Sequence, residues 1–181
     1  MVDLLQNHKH DWPIIDLSQA VPISPPPKNL QNAIKNASLK PENYRYGSIL
    51  GKLELRATIA SHWNKIYKAN ITTKEVGVTS GCNQAFCAAI SSVAETGDTI
   101  ILPSPWYFNH KMWLDINGIK TTALPCNDKY LPTIFELKKI CDKSVKAIVL
   151  VTPNNPTGQE YPKSLLKKIT NFAKKNKIAL I

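Results

Sequence analysis

From Val76 to the last residue, short apolar runs alternate with amphipathic stretches, and this alternation restricts the fold more than any other feature of the chain. VGVTS (76–80), TIILP (99–103), IKTTAL (119–124), AIVLVT (147–152) and IALI (178–181) predict strands. AIVLVT is the clearest of them, because a continuous run rich in branched residues suits a strand buried on both faces. Helices are predicted between the strands over 83–94, 108–117, 133–141 and 162–176; the last places Leu165, Leu166, Ile169 and Phe172 on one face. Gly97-Asp98 marks a turn, and Gly118 closes the second of these helices. Strands alternating with helices predict an α/β domain with a mostly parallel sheet covered on both faces.

Upstream of Val76 the pattern changes. LSQAVPISPPP (17–27) reads as an extended Pro-rich arm, followed by a helix over 28–38 and a longer one over 52–67 that carries Leu55, Ile59, Trp63 and Ile66 on one face. The expected division is therefore an N-terminal arm with helices over 1–75 and the α/β region over 76–181. At 181 residues the chain fits one domain by the usual guide of about 100–200 residues.

Composition excludes several classes of function. The chain is 43% hydrophobic and 20% charged, as soluble globular proteins are, and no apolar run approaches the roughly 20 residues that span a bilayer. The N-terminus, MVDLLQNHKHDW, shows no basic segment followed by an apolar one, so the expected location is cytoplasmic. A net charge of +10 raises the question of nucleic acid, but of the 23 Lys and Arg residues only Arg45 and Arg56 are arginines. Lysines spread along helical faces make a solvated surface, whereas base readout favours arginine, so no nucleic-acid partner is expected. Cys82, Cys87, Cys126 and Cys141 form no C-x-x-C pair, and His8, His10, His62 and His110 lack metal-ligand spacing; free thiols and no metal site are expected. GSILGK (47–52) is one residue short of a phosphate-binding P-loop, and Leu53 stands where Ser or Thr would hold magnesium.

Chemistry is expected where strands end. Thr79-Ser80-Gly81-Cys82-Asn83 turns from a strand into a helix, whose unpaired N–H groups make an anion seat that Gly81 lets a phosphate approach. Pro103-Ser104-Pro105-Trp106-Tyr107 places an aromatic pair after the next strand, suited to stacking on a flat heterocycle. Thr152-Pro153-Asn154-Asn155-Pro156-Thr157-Gly158 offers amide donors at a third strand end. Taken singly, each could be an ordinary turn or core packing; together they outline one pocket beyond the carboxyl ends of a parallel sheet.

These segments carry a resemblance. YRYGSILGKLELRATIA (44–60), VTSGCNQAF (78–86), GDTIILPSPWY (97–107) and VTPNNPTG (151–158) occur in the order found in the class I/II aminotransferases, pyridoxal-phosphate enzymes of fold type I. The likeness begins at Asp16-Leu17-Ser18-Gln19 and runs to the last residue. It implies an incomplete three-layer αβα large domain with an N-terminal arm and helices, and residues 76–181 as the first half of the cofactor-binding domain. The implied activity is transfer of an amino group between an amino acid and a 2-oxo acid, in a homodimer. By resemblance, Gly81, Cys82 and Asn83 hold the cofactor phosphate, Tyr107 stacks on the pyridine ring, and Asn155 reaches its phenolic oxygen. Tyr46 matches the tyrosine that reaches the neighbouring subunit's phosphate. Ala20 stands where many relatives have a glycine near the substrate carboxylate.

The family's Schiff-base lysine, its aspartate at the pyridine nitrogen and its substrate-binding arginine belong downstream of NPTG, and no counterpart occurs before Ile181. No residue of this chain is thus assigned as catalytic, and the chain by itself is expected to be inactive. Two alternatives stand beside that expectation: a non-catalytic remnant or module that pairs with a separate C-terminal half, and a related pyridoxal-phosphate lyase or synthase sharing the same four segments.

Overall fold

A computed structural model describes Ile15 and residues 24–181, so Ala20, the 16–19 segment and most of the predicted arm lie outside the described residues. The chain separates into two compact units, residues 1–47 and 48–181.

In the first unit, helix α1 (Lys28–Ser38) is followed by a single 3₁₀ turn, Pro41–Tyr44. Asn43 closes the pair by donating from its side-chain amide to the Ala37 carbonyl at 2.7 Å, and the Tyr44 hydroxyl donates to the Ser38 carbonyl.

The second unit begins with α2 (Leu53–Tyr67) and a 3₁₀ turn, Thr73–Glu75, fastened by a reciprocal cap between Thr72 and Glu75. Then follow α3 (Cys82–Ser91), β1 (Thr99–Ser104), α4 (Phe108–Ile116), β2 (Lys120–Pro125), α5 (Ile134–Ile140), β3 (Val145–Ile148), α6 (Lys163–Asn176) and β4 (Ala179–Leu180). All strand pairings are parallel, in the order β2-β1-β3-β4. The chain moves outward from β1 in one direction to β2 and in the other to β3, so the order reverses between β1 and β3. In open sheets of this kind such a reversal opens a crevice at the strands' carboxyl ends.

Helices cover both faces. Ile100 and Leu102 of β1 point to one side, against Phe86 and Ile90 of α3 and Leu114 of α4. Ile101 points to the other, against Leu137 of α5 and Ile169 and Ala173 of α6. A bulge opposite Thr99 and Ile100 leaves Lys146 outside the register. That one extra residue lets Val145 and Ile148 share a face although they are three apart. Lys146 turns outward to Asp98 at 3.5 Å.

Two predicted strands need correction. Residues 76–80 are not a strand: Val78 donates to the Leu50 carbonyl at 3.0 Å, but no strand among the described residues lies beside this segment, and pairing is what makes a strand. AIVLVT is a strand only to Ile148, although its hydrogen bonding continues from Val149 to Ile101 and from Leu150 to Ile181. The second glycine of GSILGK serves packing. Gly51 has φ +94°, and a Cβ there would lie 2.8 Å from the Cβ of Val78.

Candidate functional site

Three loops meet at the reversal point. The first turns into α3. Gly81 caps that helix with φ 89° and ψ 174°, a conformation open essentially to glycine, and no side chain caps it. The turn is held on both sides: Thr79 donates its hydroxyl to the Gly81 carbonyl at 2.9 Å, and the Ser80 amide donates to Gln84 Oε1 at 2.6 Å. A Cβ on Gly81 would meet nothing within 4 Å. The helix therefore presents an uncapped N-terminus, an electropositive seat for an anion.

The second loop leaves β1 and enters α4 at Tyr107, the helix's N-cap residue. Tyr107 meets the His110 ring edge-on at 5.2 Å, and its hydroxyl accepts from Asn109 Nδ2 at 2.6 Å. His110 lies nearly parallel to Phe86 of α3, centroids 3.9 Å apart, which ties the two helices together. His110 is only 5% exposed, and its Nε2 is buried without a hydrogen-bond partner among the described residues. Burial holds its imidazole below the usual histidine range, favouring the neutral form.

The third loop follows β3. Asn154 is buried, and its Oδ1 accepts from both the backbone N–H (3.2 Å) and the hydroxyl (2.9 Å) of Thr157. Its backbone is bonded too, with Asn154 N–H donating to the Gln159 carbonyl and Gly158 N–H to the Asn154 carbonyl. Asn154 Nδ2 reaches the Tyr161 hydroxyl at 3.5 Å, and the Tyr161 amide donates to Thr152 Oγ1 at 2.9 Å. Burial above all, with Cys126 close by, pushes the Tyr161 phenol up to about 12. Asn155, by contrast, is exposed and its side chain makes no hydrogen bond among the described residues.

Ser80, Gly81, Cys82, Asn83, Tyr107, His110, Val151 and Asn155 line one cleft of about 420 Å³, within the usual range for small-molecule sites. Five of the residues singled out in the sequence, Gly81, Cys82, Asn83, Tyr107 and Asn155, thus share a single cavity. Tyr46 belongs to the first unit and is fully exposed there. Ala20 lies outside the described residues. Sequence reasoning passed over His110, because it weighed histidines by metal-ligand spacing; the usable signal was its place three residues after Tyr107, on the first turn of α4. It also counted Asn154 with Asn155 as an amide donor at the strand end, whereas Asn154 is buried and bonded within its own loop.

Among the described residues no cluster of His, Cys, Asp or Glu could hold a metal ion, and no helix is long and apolar enough to cross a membrane. The cleft offers an anion seat, a flat aromatic wall and an amide donor. A phosphorylated heterocycle needs those three groups.

The family model for aminotransferase class I and II matches residues 13–181. The chain is 29% identical over 170 residues to an aspartate aminotransferase of Pyrococcus horikoshii, covering 93% of this chain and 43% of that protein. It is 26% identical over 175 residues to the L-glutamine–4-(methylsulfanyl)-2-oxobutanoate aminotransferase of Bacillus subtilis, covering 95% and 44%. Among solved structures, Pyrococcus protein-A1 superposes with a TM-score of 0.90 at 27% identity, over 99% of this chain and 46% of that one. The chain spans less than half the length of the curated relatives it matches.

Proposed function

The chain belongs to the class I and II aminotransferases, and from that premise we propose that its cleft is one wall of a pyridoxal 5'-phosphate site in a protein that transfers an amino group between an amino acid and a 2-oxo acid. The observation that carries the reading is the convergence of Gly81, Cys82, Asn83, Tyr107 and Asn155 on one cavity at the reversal of strand order.

The residues fit the group. The uncapped N-terminus of α3 suits a phosphate monoester, and the Gly81 backbone that opens it takes a conformation suited to glycine. Tyr107 supplies a face for the pyridine ring, and Asn155 a free amide for the phenolic oxygen. When bound, pyridoxal phosphate supplies the electron sink for electrons released at the substrate's α-carbon. This chain's residues bind and orient. His110 packs edge-on against Tyr107 and flat on Phe86, and so backs the ring wall.

Among the described residues no lysine lines the cleft. A group that moves the α-carbon proton therefore has to come from elsewhere, and the 181 residues alone are proposed to be inactive. Purified chain supplied with pyridoxal phosphate and an amino donor should form no 2-oxo acid above the protein-free background; turnover above it overturns this. The same family premise underlies the assignment of residues 76–181 to the first half of the cofactor domain and a homodimer in which Tyr46 reaches the neighbour's phosphate.

A second reading, a non-catalytic module that pairs with a separate C-terminal half, draws support from α2, where Leu55, Trp63 and Ile66 are each at least 40% exposed. Co-expression with such a half should bury Trp63 and shift its fluorescence; an unchanged spectrum would count against pairing there.

A further inference from the structure

We propose that Asn109 is a positioning residue for the ring wall: its side-chain amide holds the Tyr107 hydroxyl and so sets the tilt of the ring that faces the ligand. The inference rests on Tyr107 serving as that wall.

Tyr107 is restrained at its base and on its flanks by other means. Its backbone is the N-cap of α4, and its ring is flanked edge-on by His110 at 5.2 Å and at 59° by Phe108 at 5.3 Å. Neither contact fixes the far end of the ring. That end is held by Asn109 Nδ2, 2.6 Å from the hydroxyl and partly shielded from solvent.

Asn109 is well placed to hold it, because it sits in the first turn of a helix that cannot easily shift. Leu114 of α4 is fully buried, and His110 and Trp113 grip Phe86 of α3 from two directions, at 3.9 Å nearly parallel and at 5.9 Å edge-on. A donor on a rigid element, two residues from the group it holds, has little freedom to lose on binding. A phenylalanine at 107 would present the same face but leave Asn109 nothing to hold. The hydroxyl and the amide therefore form one device, and each is useless without the other.

The test is a double-mutant cycle on the 181-residue chain: wild type, Asn109→Ala, Tyr107→Phe and the double variant. Pyridoxamine 5'-phosphate is the probe, since it has no aldehyde to react with surface lysines. Ultraviolet resonance Raman of the free chain reads the tyrosine hydroxyl directly, with Tyr107→Phe identifying its contribution. Loss of Asn109 should change the Tyr107 Raman doublet and weaken probe binding about threefold to tenfold. In the Tyr107→Phe background the same loss should change affinity less than twofold.

An equal loss in both backgrounds, or a Raman doublet that ignores Asn109, overturns the inference. If wild type fails to bind the probe, the cofactor reading fails and takes the ligand role of Asn109 with it. If wild type binds and the cycle shows no coupling, only the inference on Asn109 fails. Melting curves for all four proteins identify a variant that fails to fold.

Discussion

Replacing Asn154 by alanine removes the side chain that fastens the loop after β3. Two hydrogen bonds to Thr157 disappear, at 3.2 and 2.9 Å, and the Tyr161 hydroxyl, on a residue 3% exposed, loses its partner at 3.5 Å. Neutral hydrogen bonds contribute about 1 kcal/mol each, and a buried hydroxyl left alone costs about 1 kcal/mol, so the expected loss is about 3 kcal/mol. With a urea slope of about 2 kcal/mol/M for a chain of this size, the unfolding midpoint should fall by roughly 1.5 M. The neighbouring Asn155→Ala is the control. Its side chain is exposed and unbonded among the described residues, so its unfolding free energy should change by less than about 0.5 kcal/mol while pyridoxamine phosphate binding weakens about tenfold. Urea titrations followed by circular dichroism, with binding measured by calorimetry, separate the two. Equal destabilisation by both substitutions, or less than about 0.5 kcal/mol for Asn154→Ala, would refute this division of labour.

Other positions give independent tests. Gly81→Ala should cost about 1–3 kcal/mol in thermal unfolding, because its backbone conformation suits only glycine, and should also weaken phosphate binding at α3. Gly118 has φ +65°, and a Cβ there would sit 2.9 Å from Thr96 Cγ2. Gly118→Ala should therefore be less costly in a Thr96→Ser background, which removes that methyl and keeps the hydroxyl bonded to the Asn117 carbonyl; strict additivity of the two would argue against the clash. Tyr161 supplies a pH test. Its folded phenol titrates at about 12 against about 10 when unfolded, so the unfolded chain loses its proton first as pH rises. Its contribution is complete below pH 10 and lost between about pH 10 and 12, and Tyr161→Phe should flatten the fall in melting temperature over that window.

Local pattern made much of the second unit legible. Helix α6 starts and stops within a residue of its predicted limits because its apolar stripe is unambiguous, and Gly118 closes α4 with the left-handed conformation its position calls for. Pairing is not local, however. Residues 76–80 look like a strand, yet they lack a neighbouring strand among the described residues. The bulge at Lys146 escapes a rule that counts residues in twos. In the site, loop chemistry singles out Gly81 and Tyr107, and the structure brings both to one cleft. It does not separate the roles of the adjacent asparagines, because burial separates them: Asn154 is enclosed and bonded to its own loop, and Asn155 faces the cleft.

Amide chemical-shift mapping tests the cofactor site most directly. Pyridoxamine 5'-phosphate titrated into the isotopically labelled chain should perturb Ser80 through Asn83 most, then Tyr107, His110 and Asn155, and unphosphorylated pyridoxamine should bind far more weakly. Shifts confined to the lysines of α6, or equal responses to both compounds, would contradict a phosphate seat at the N-terminus of α3.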